Sequence, residues 1–473
     1  MFKKLIVSFC ILCIATATSY AQETWSLEKC VNYALSNNIS IAQTKIGQKF
    51  TEIDEHQARH AKYPNVNAGG SMNLNLGRSV DPVTNDFVSE TFYANNFSLN
   101  SGVVIYNGGR LKNSLKQAKI NNQSATLDIA QSERDIALLV ANTYLNVIFA
   151  KENLKIVNNQ LALSQEQLKQ LNQLIAAGTR PPNEALNIEA QIALNEQNIL
   201  AAENTIATAL LNLKQLLRIN KDIDVIIPDG DIPLRSDPDM LTMEEVFTSA
   251  LNTQPSIKAA TLDLESALIG VDIAESALKP TLNAGGSVGT NYSNKGVFID
   301  GTTRVIDQQM IIFNGAETTI GFPVDIPNFK NQPYFDQIQD NLSYGVGVNL
   351  NIPIYNNMVN RSNVERAKLN IETTELTNLQ LKDNLKIQVM QALVDARTAK
   401  LQVKASQKSY DAQTAAFANT KRRYDLGGIN TYDYIDAKNQ LDIAQLNLVI
   451  SKYDYIFKSK VIDFYMGYPL KLN

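Results

Sequence analysis

Pro64-Asn-Val-Asn-Ala-Gly-Gly-Ser71 and Pro280-Thr-Leu-Asn-Ala-Gly-Gly-Ser287 share six of eight residues, 216 residues apart (280 − 64). The same spacing, without a gap, pairs Leu27-Glu28 with Met243-Glu244, Ala34-Leu35 with Ala250-Leu251, and Ile41 with Ile257. Further along the spacing becomes 249 (355 − 106): Ile105-Tyr106-Asn107 pairs with Ile354-Tyr355-Asn356, Ala118-Lys119 with Ala367-Lys368, Gly178 with Gly427, and Gln191 with Gln440. The change of 33 residues (249 − 216) falls between these landmarks, so the second copy carries a longer loop there. Two constant offsets over such spans read as a tandem internal duplication. The expected division is a first repeat over 22–218, a connector over 219–240 and a second repeat over 241–473.

Each half has the same order of elements. A helical stretch, Ser26 to Lys62 or Thr242 to Lys279, ends at a proline and gives way to period-2 runs. Leu342, Tyr344, Val346, Val348, Leu350 and Ile352 alternate with Ser343, Gly345, Gly347, Asn349 and Asn351. Phe97, Leu99, Val103 and Ile105 alternate with Asn96, Ser98, Asn100 and Gly102, and the run from Leu282 to Tyr292 follows suit. Strands of about 9–11 residues with one apolar face suit a tilted bilayer crossing. The same pattern also suits an ordinary half-buried antiparallel sheet. Pro64, Pro280 and Pro353 mark helix–strand junctions, where a fixed φ and a missing donor end one element and begin the next. The counterpart of Pro353 in the first half is Val104, a weaker mark.

Two very long helical patterns follow, Asn107 to Ala177 and Asn356 to Leu426, without proline. About 70 residues at 1.5 Å rise make a rod of roughly 105 Å, far beyond a globular helix. Each rod ends at glycine, Gly178 or Gly427-Gly428, and a shorter helix returns over Asn183 to Arg218 or Thr431 to Met466. Four membrane-type strands cannot close a barrel, since transmembrane barrels begin at about eight. An open edge in lipid is prohibitive, so several chains must share one barrel.

Composition narrows the class. The chain has 473 residues, 44% of them hydrophobic and 19% charged, with a formal net charge of −4. That balance argues against a nucleic-acid partner. Asn and Gln make up about one residue in six. Lys3 and Lys4, the apolar run Leu5 to Ile14 and Ser19-Tyr20-Ala21 read as a signal peptide over 1–21, so the chain is exported. Leu12 before Cys13 disfavours a lipoprotein anchor. Cys10 and Cys13 leave with the signal, and Cys30 alone supports no disulfide framework. No phosphate loop or catalytic triad is present, so neither an enzyme nor a cofactor is expected. Asp229, Asp231, Asp237 and Asp239 lack calcium-loop spacing and suit turns. His56 and His60 stand i, i+4 beside Glu52, but no third ligand is evident, and a solvated or inter-helix face is the plainer reading.

The order helix, two strands, rod, glycine tip and return helix, present twice, resembles the TolC family of outer-membrane efflux ducts. So does Tyr424 to Ala437, Y-D-L-G-G-I-N-T-Y-D-Y-I-D-A, which is similar to that family's periplasmic tip, a glycine turn before D-x-x-D-A. The resemblance covers essentially Glu23 to Leu470. It implies a mixed α and β fold in which a homotrimer builds a 12-stranded transmembrane β-barrel, four strands per chain, continuing into a long α-helical coiled-coil barrel. The barrel would sit in outer-membrane lipid and the helices in the periplasm. The implied function is the passive exit duct of a tripartite efflux system, docked to a periplasmic adaptor protein and an inner-membrane pump. The exit duct of a type I protein secretion system is the alternative in the same class, and an exported coiled-coil scaffold the alternative in another.

The resemblance also assigns residues. Asp433 and Asp436, three apart on one helical face, would form an acidic ring at the entrance. They equally suit the first turn of a helix capped by Asn430 or Thr431. Tyr424 matches a tyrosine that holds the closed gate, and Glu184 its acidic partner in the first half. The arginine expected two residues after the second glycine is Ile429 here, whereas Arg180 takes the equivalent place in the first half. A rewired linkage, Arg180 to a tip carboxylate, is one resulting expectation; the other is that Tyr424 and Arg180 are simply interfacial residues of the helix tips.

Overall fold

The computed structural model describes residues 23–81, 85–89, 91–227, 237–313 and 315–468. The signal segment over 1–21, and Pro228, Asp229, Asp231 and Pro233 of the connector, lie outside the described residues. In chain order the elements are β1 (Glu23–Trp25), α1 (Leu27–Asn37), α2 (Ile39–His60), β2 (Asn65–Asn75), β3 (Ser79–Val80), β4 (Phe87–Val88), β5 (Phe92–Asn107), α3 (Arg110–Ala176), α4 (Asn183–Leu217) and β6 (Ile223–Val225). The second half continues with α5 (Met243–Thr253), α6 (Pro255–Ser276), β7 (Thr281–Ser293), β8 (Val297–Phe313), β9 (Ala316–Asn331), α7 (Tyr334–Asp340), β10 (Ser343–Asn351), α8 (Val359–Asp425) and α9 (Thr431–Tyr465). The chain forms two compact units, one from residues up to 52, 120–266 and 372 onward, the other from 53–119 and 267–371.

The unit of 53–119 and 267–371 holds a four-stranded sheet in the order β10-β7-β5-β2, antiparallel throughout. Register fixes its two faces, because paired residues point the same way. One row reads Ala68, Leu99, Val288, Tyr344, and the next Val66, Ser101, Gly286, Val346. The opposite face carries Asn65, Gly102, Gly285 and Gly347 in one row and Asn67, Asn100, Ser287 and Gly345 in another. Apolar side chains on the first face stay uncovered within the chain, Val346 at 94% exposure. Both edges, β2 and β10, are open.

Pro353 and Val104 behave as their chemistry dictates. β10 stops at Asn351, two residues short of Pro353. β5 instead runs on past Val104 to Asn107, with a register shift between Val104 and Tyr106 that keeps the ladder to β7. The long second loop is not irregular. It folds into the β8–β9 ribbon, paired from Val297↔Asn331 to Phe313↔Ala316, and the short helix α7. Pro323 and Pro327 fit in β9 because a two-stranded ribbon has only edge strands. At the ribbon's base buried Gln337 accepts from the Ser293 amide and donates to the Ser293 and Gln332 carbonyls, while Ser293 Oγ bonds Asp81.

The other unit is helical, with one small parallel pair, Glu23–Trp25 against Ile223–Val225. The N-terminal helical stretch of each half is two helices rather than one. The first breaks at Asn38, whose side chain accepts from the Ser40 amide. The second breaks at Gln254, held extended by Pro255. Around Trp25 a core gathers Cys30, Ala34, Val140, Tyr144, Val147, Ile148, Leu213 and Leu217. A second core gathers Val246, Ala250, Ile257, Leu385, Val389, Leu393, Ala396 and Ile462. The connector's end is pinned to α8: Lys400 Nζ bonds Asp237 Oδ1 and Asp239 Oδ2, each at 2.6 Å, and Arg397 Nη2 donates to Leu241 O at 2.8 Å. Asp237 and Asp239 thus serve as ion-pair partners of α8. No helix among the described residues is long and apolar enough to cross a membrane.

Candidate functional site

Both helical hairpins turn by the same backbone device. After α3 the Gly178 amide donates to Ile175 O at 2.9 Å and the Thr179 amide to Leu174 O at 3.0 Å. After α8 the Gly427 amide donates to Tyr424 O at 2.9 Å and the Gly428 amide to Arg423 O at 2.8 Å. This paired closure needs a left-handed residue at its first position, and the two glycines supply it with φ of 74° and 75°. Gly428 does not share that conformation, and Thr179 fills its place in the other turn.

The return helices start differently. α4 begins behind Pro181-Pro182 with Glu184 in its first turn. α9 is capped by Asn430, whose Oδ1 accepts from the Asp433 amide at 2.8 Å. Asp433 lies in the first turn of α9, but Asp436 does not; it falls one turn further on. Both carboxylates are exposed and, among the described residues, neither pairs with a cation.

The two turns meet through side chains. Arg180 Nη1 stands 3.6 Å from Glu184 Oε1, and both side chains are mostly buried. The same guanidinium donates to Tyr424 O at 3.3 Å and Ile429 O at 3.5 Å, and lies 5.1 Å above the Tyr424 ring. Thr431, itself buried, donates from Oγ1 to Glu184 Oε2 at 2.8 Å and shares a 3.3 Å hydroxyl bond with Tyr424. Tyr424 stacks 4.7 Å from Tyr434, whose hydroxyl accepts from Gln167 Nε2 at 2.8 Å. Burial pushes the Tyr434 phenol above its ordinary pKa. Arg180, Glu184 and Tyr424 are therefore one cluster, with Ile429 contributing its carbonyl rather than a cation. Asp433 and Asp436 stand outside it.

Thr431, Tyr434 and Gln167 are the members that sequence reasoning did not place. Thr431 was legible as a capping candidate, yet nothing local connects it to Glu184, 247 residues earlier. Deeper in the same hairpins, the buried Asp442 pairs with Lys438, and burial raises its carboxyl above the usual range. Buried Asn195 donates to Ser164 Oγ at 3.0 Å. No group of three or more His, Cys, Asp or Glu is arranged to hold a metal ion among the described residues.

Comparison with known proteins agrees with this architecture. The sequence model of the outer membrane efflux protein family matches residues 30–217 and again 246–467. Outer membrane protein TolC of Vibrio cholerae is 22% identical over 463 residues, covering 96% of this chain and 93% of that one. Outer membrane efflux protein BepC of Brucella suis is 20% identical over 458 residues, covering 97% and 88%. Among solved structures, CusC superposes with a TM-score of 0.74 at 16% identity over 95% of both chains. The Campylobacter jejuni CmeC outer membrane channel gives 0.70 at 18% identity, covering 96% of this chain and 91% of that one. The chain belongs to the outer membrane efflux protein family and is an outer-membrane channel, not an enzyme.

Proposed function

We propose that three copies of this chain build one passive exit duct of a tripartite efflux system, closed at its periplasmic helix tips and opened by an adaptor and an inner-membrane pump. The carrying observation is the four-stranded sheet with one mostly apolar face, one face of Asn, Ser and Gly, and two open edges. Lipid cannot satisfy open edges, so β2 of one copy pairs with β10 of the next. Three copies give twelve strands, the number taken from the family resemblance, with the amide face toward water and the apolar face toward lipid. Helices of 67 residues, about 100 Å at 1.5 Å per residue, then carry the duct into the periplasm. The cluster of Arg180, Glu184, Thr431 and Tyr424 holds the tips together, and Asp433 and Asp436 of each copy form an acidic ring at the mouth.

The two halves arose by tandem duplication in this reading, with repeats over 22–218 and 241–473. Burial supports it: Ala34 and Ala250 are buried 216 apart, and Val140 and Val389, Tyr144 and Leu393, and Leu213 and Ile462 are buried 249 apart. Energy for export comes from the pump, since this chain carries no nucleotide motif.

Conductance in planar bilayers tests the proposal. Wild type is expected to give small cation-selective steps, and Asp433→Asn with Asp436→Asn to lose the selectivity while still inserting. Folded material that is soluble without detergent and never inserts would overturn the shared barrel. Unchanged selectivity in the double variant would overturn the ring.

A further inference from the structure

The chain has two histidines in 473 residues, and both stand on one face of α2, at His56 and His60. Their rings lie 4.1 Å apart, tilted by 32°, on an exposed turn near the end of the helix. His60 Nδ1 is 2.8 Å from the His56 carbonyl. A carbonyl oxygen only accepts, so Nδ1 carries the proton and Nε2 turns its lone pair outward. That is the arrangement by which metal-ligating imidazoles are commonly oriented, one ring nitrogen donating to a carbonyl and the other left to bind.

We infer that His56 and His60 form a two-imidazole chelate for a borderline divalent transition cation, Cu2+ before Ni2+ or Zn2+. Paired histidines at i, i+4 on one helical face are the ligand geometry of helical zinc sites, where metal–nitrogen distances are about 2.0–2.1 Å. The residue after the first histidine is Gln57, where hydrolytic sites of this spacing carry a glutamate base, so the pair binds without hydrolysing. Among the described residues no third His, Cys, Asp or Glu completes the set. Water fills the remaining positions, and such an open site exchanges its ion readily. The order of preference follows the general affinity series of imidazole sites. The inference stands on α2 alone and does not depend on the duct reading.

The test is Cu2+ titration of the untagged, detergent-purified full chain, followed by electron paramagnetic resonance. One Cu2+ per chain with the splitting of two imidazole nitrogens is expected. His56→Gln and His60→Gln should each weaken binding at least tenfold and leave one imidazole nitrogen, with unchanged thermal melting showing that the fold is intact. Oxygen-only coordination in wild type, or both variants binding like wild type, would overturn the site and leave a ring stack that continues to Tyr63, 5.5 Å from His60.

Discussion

Thr431→Val is the sharpest probe of what keeps the two helical turns together. The substitution keeps the shape of the side chain and deletes one hydroxyl. That hydroxyl donates to Glu184 Oε2 at 2.8 Å and shares a 3.3 Å bond with Tyr424, in a residue that is 1% exposed. A hydrogen bond to a charged group contributes about 1.5–3 kcal/mol and a neutral one about 0.5–1.5. The extra methyl recovers up to about 0.8 kcal/mol of apolar burial, so the net loss is about 2 kcal/mol. Arg180 still neutralises Glu184, which keeps the loss at that size rather than that of an unpaired buried charge. At 1.36 kcal/mol per decade, local opening should become about 30-fold more frequent. Native-state hydrogen exchange reads it directly: amides of 424–434 and 178–188 should exchange about 30-fold faster, while those around Val389 and Leu393 stay unchanged. Tyr424→Phe loses only the longer hydroxyl bond and should accelerate the same amides a few-fold. Exchange within twofold of wild type for Thr431→Val, or a larger effect from Tyr424→Phe, would refute the assignment of Thr431 as the hub.

Gly108→Ala should destabilise the sheet-bearing unit by about 3 kcal/mol, because φ is +69° and the new methyl would sit 2.6 Å from Ser276 O. Gly109→Ala, at φ +95° with nothing within 4 Å, carries the backbone part alone, so the difference in apparent melting temperature isolates the clash. Asp128 is held above its ordinary pKa by burial and then by the charge of Asp263. A raised carboxyl binds its proton more tightly folded than unfolded, so stability falls as pH rises from the unfolded value through the folded one. Asp128→Asn should therefore melt higher than wild type at pH 7, with the gap narrowing as pH falls and closing only below the ordinary carboxyl range, where the aspartic acid is neutral in both states; a gap independent of pH in calorimetry would contradict this.

The rods were legible to within a few residues. Asn107–Ala177 was the reading and Arg110–Ala176 the element, because a run of good helix formers without proline leaves no competing structure. Alternating runs made β5, β7 and β10 legible, and the repeat of Pro64-to-Ser71 at Pro280-to-Ser287 pointed to β2; β5 had no proline to mark its end. The β8–β9 ribbon was not: Asp307, Gln308 and Gln309 interrupt its alternation, and Pro323 and Pro327 argue against a strand interior. Those prolines are harmless only because both strands of the ribbon are edges, a tertiary fact. The Glu23–Trp25 pairing with Ile223–Val225 joins three-residue strands 200 residues apart and leaves no local trace. At the tips the glycine turns and the proline start were readable. The bond between Thr431 and Glu184 depends on how two hairpins settle side by side, which no local pattern encodes.

In the proposed duct the sheet and the tips divide the electrical work. Across the Asn-rich face, register places Asn65, Asn67, Ser71 and Asn73 of β2, Asn96, Ser98 and Asn100 of β5, Asn283, Ser287 and Asn291 of β7, and Ser343, Asn349 and Asn351 of β10. No charged side chain occurs in these four strands. An amide offers two donors and two acceptor sites and a hydroxyl one donor and two acceptor sites, so a face made of them hydrates solutes of either sign and carries no fixed charge. Selectivity needs fixed charge in a constricted, low-dielectric passage. With these four strands uncharged, such charge lies in the proposed duct along the helices and at the tips, where Asp433 and Asp436 stand exposed and unpaired, and on the β8–β9 ribbon, where Arg304 pairs with Asp325 and Lys330 with Asp300. In the proposed duct a cation preference therefore comes from charge outside these four strands. Neutralising Asp433 and Asp436 therefore tests the proposed entrance against a four-stranded sheet that carries no charge of its own.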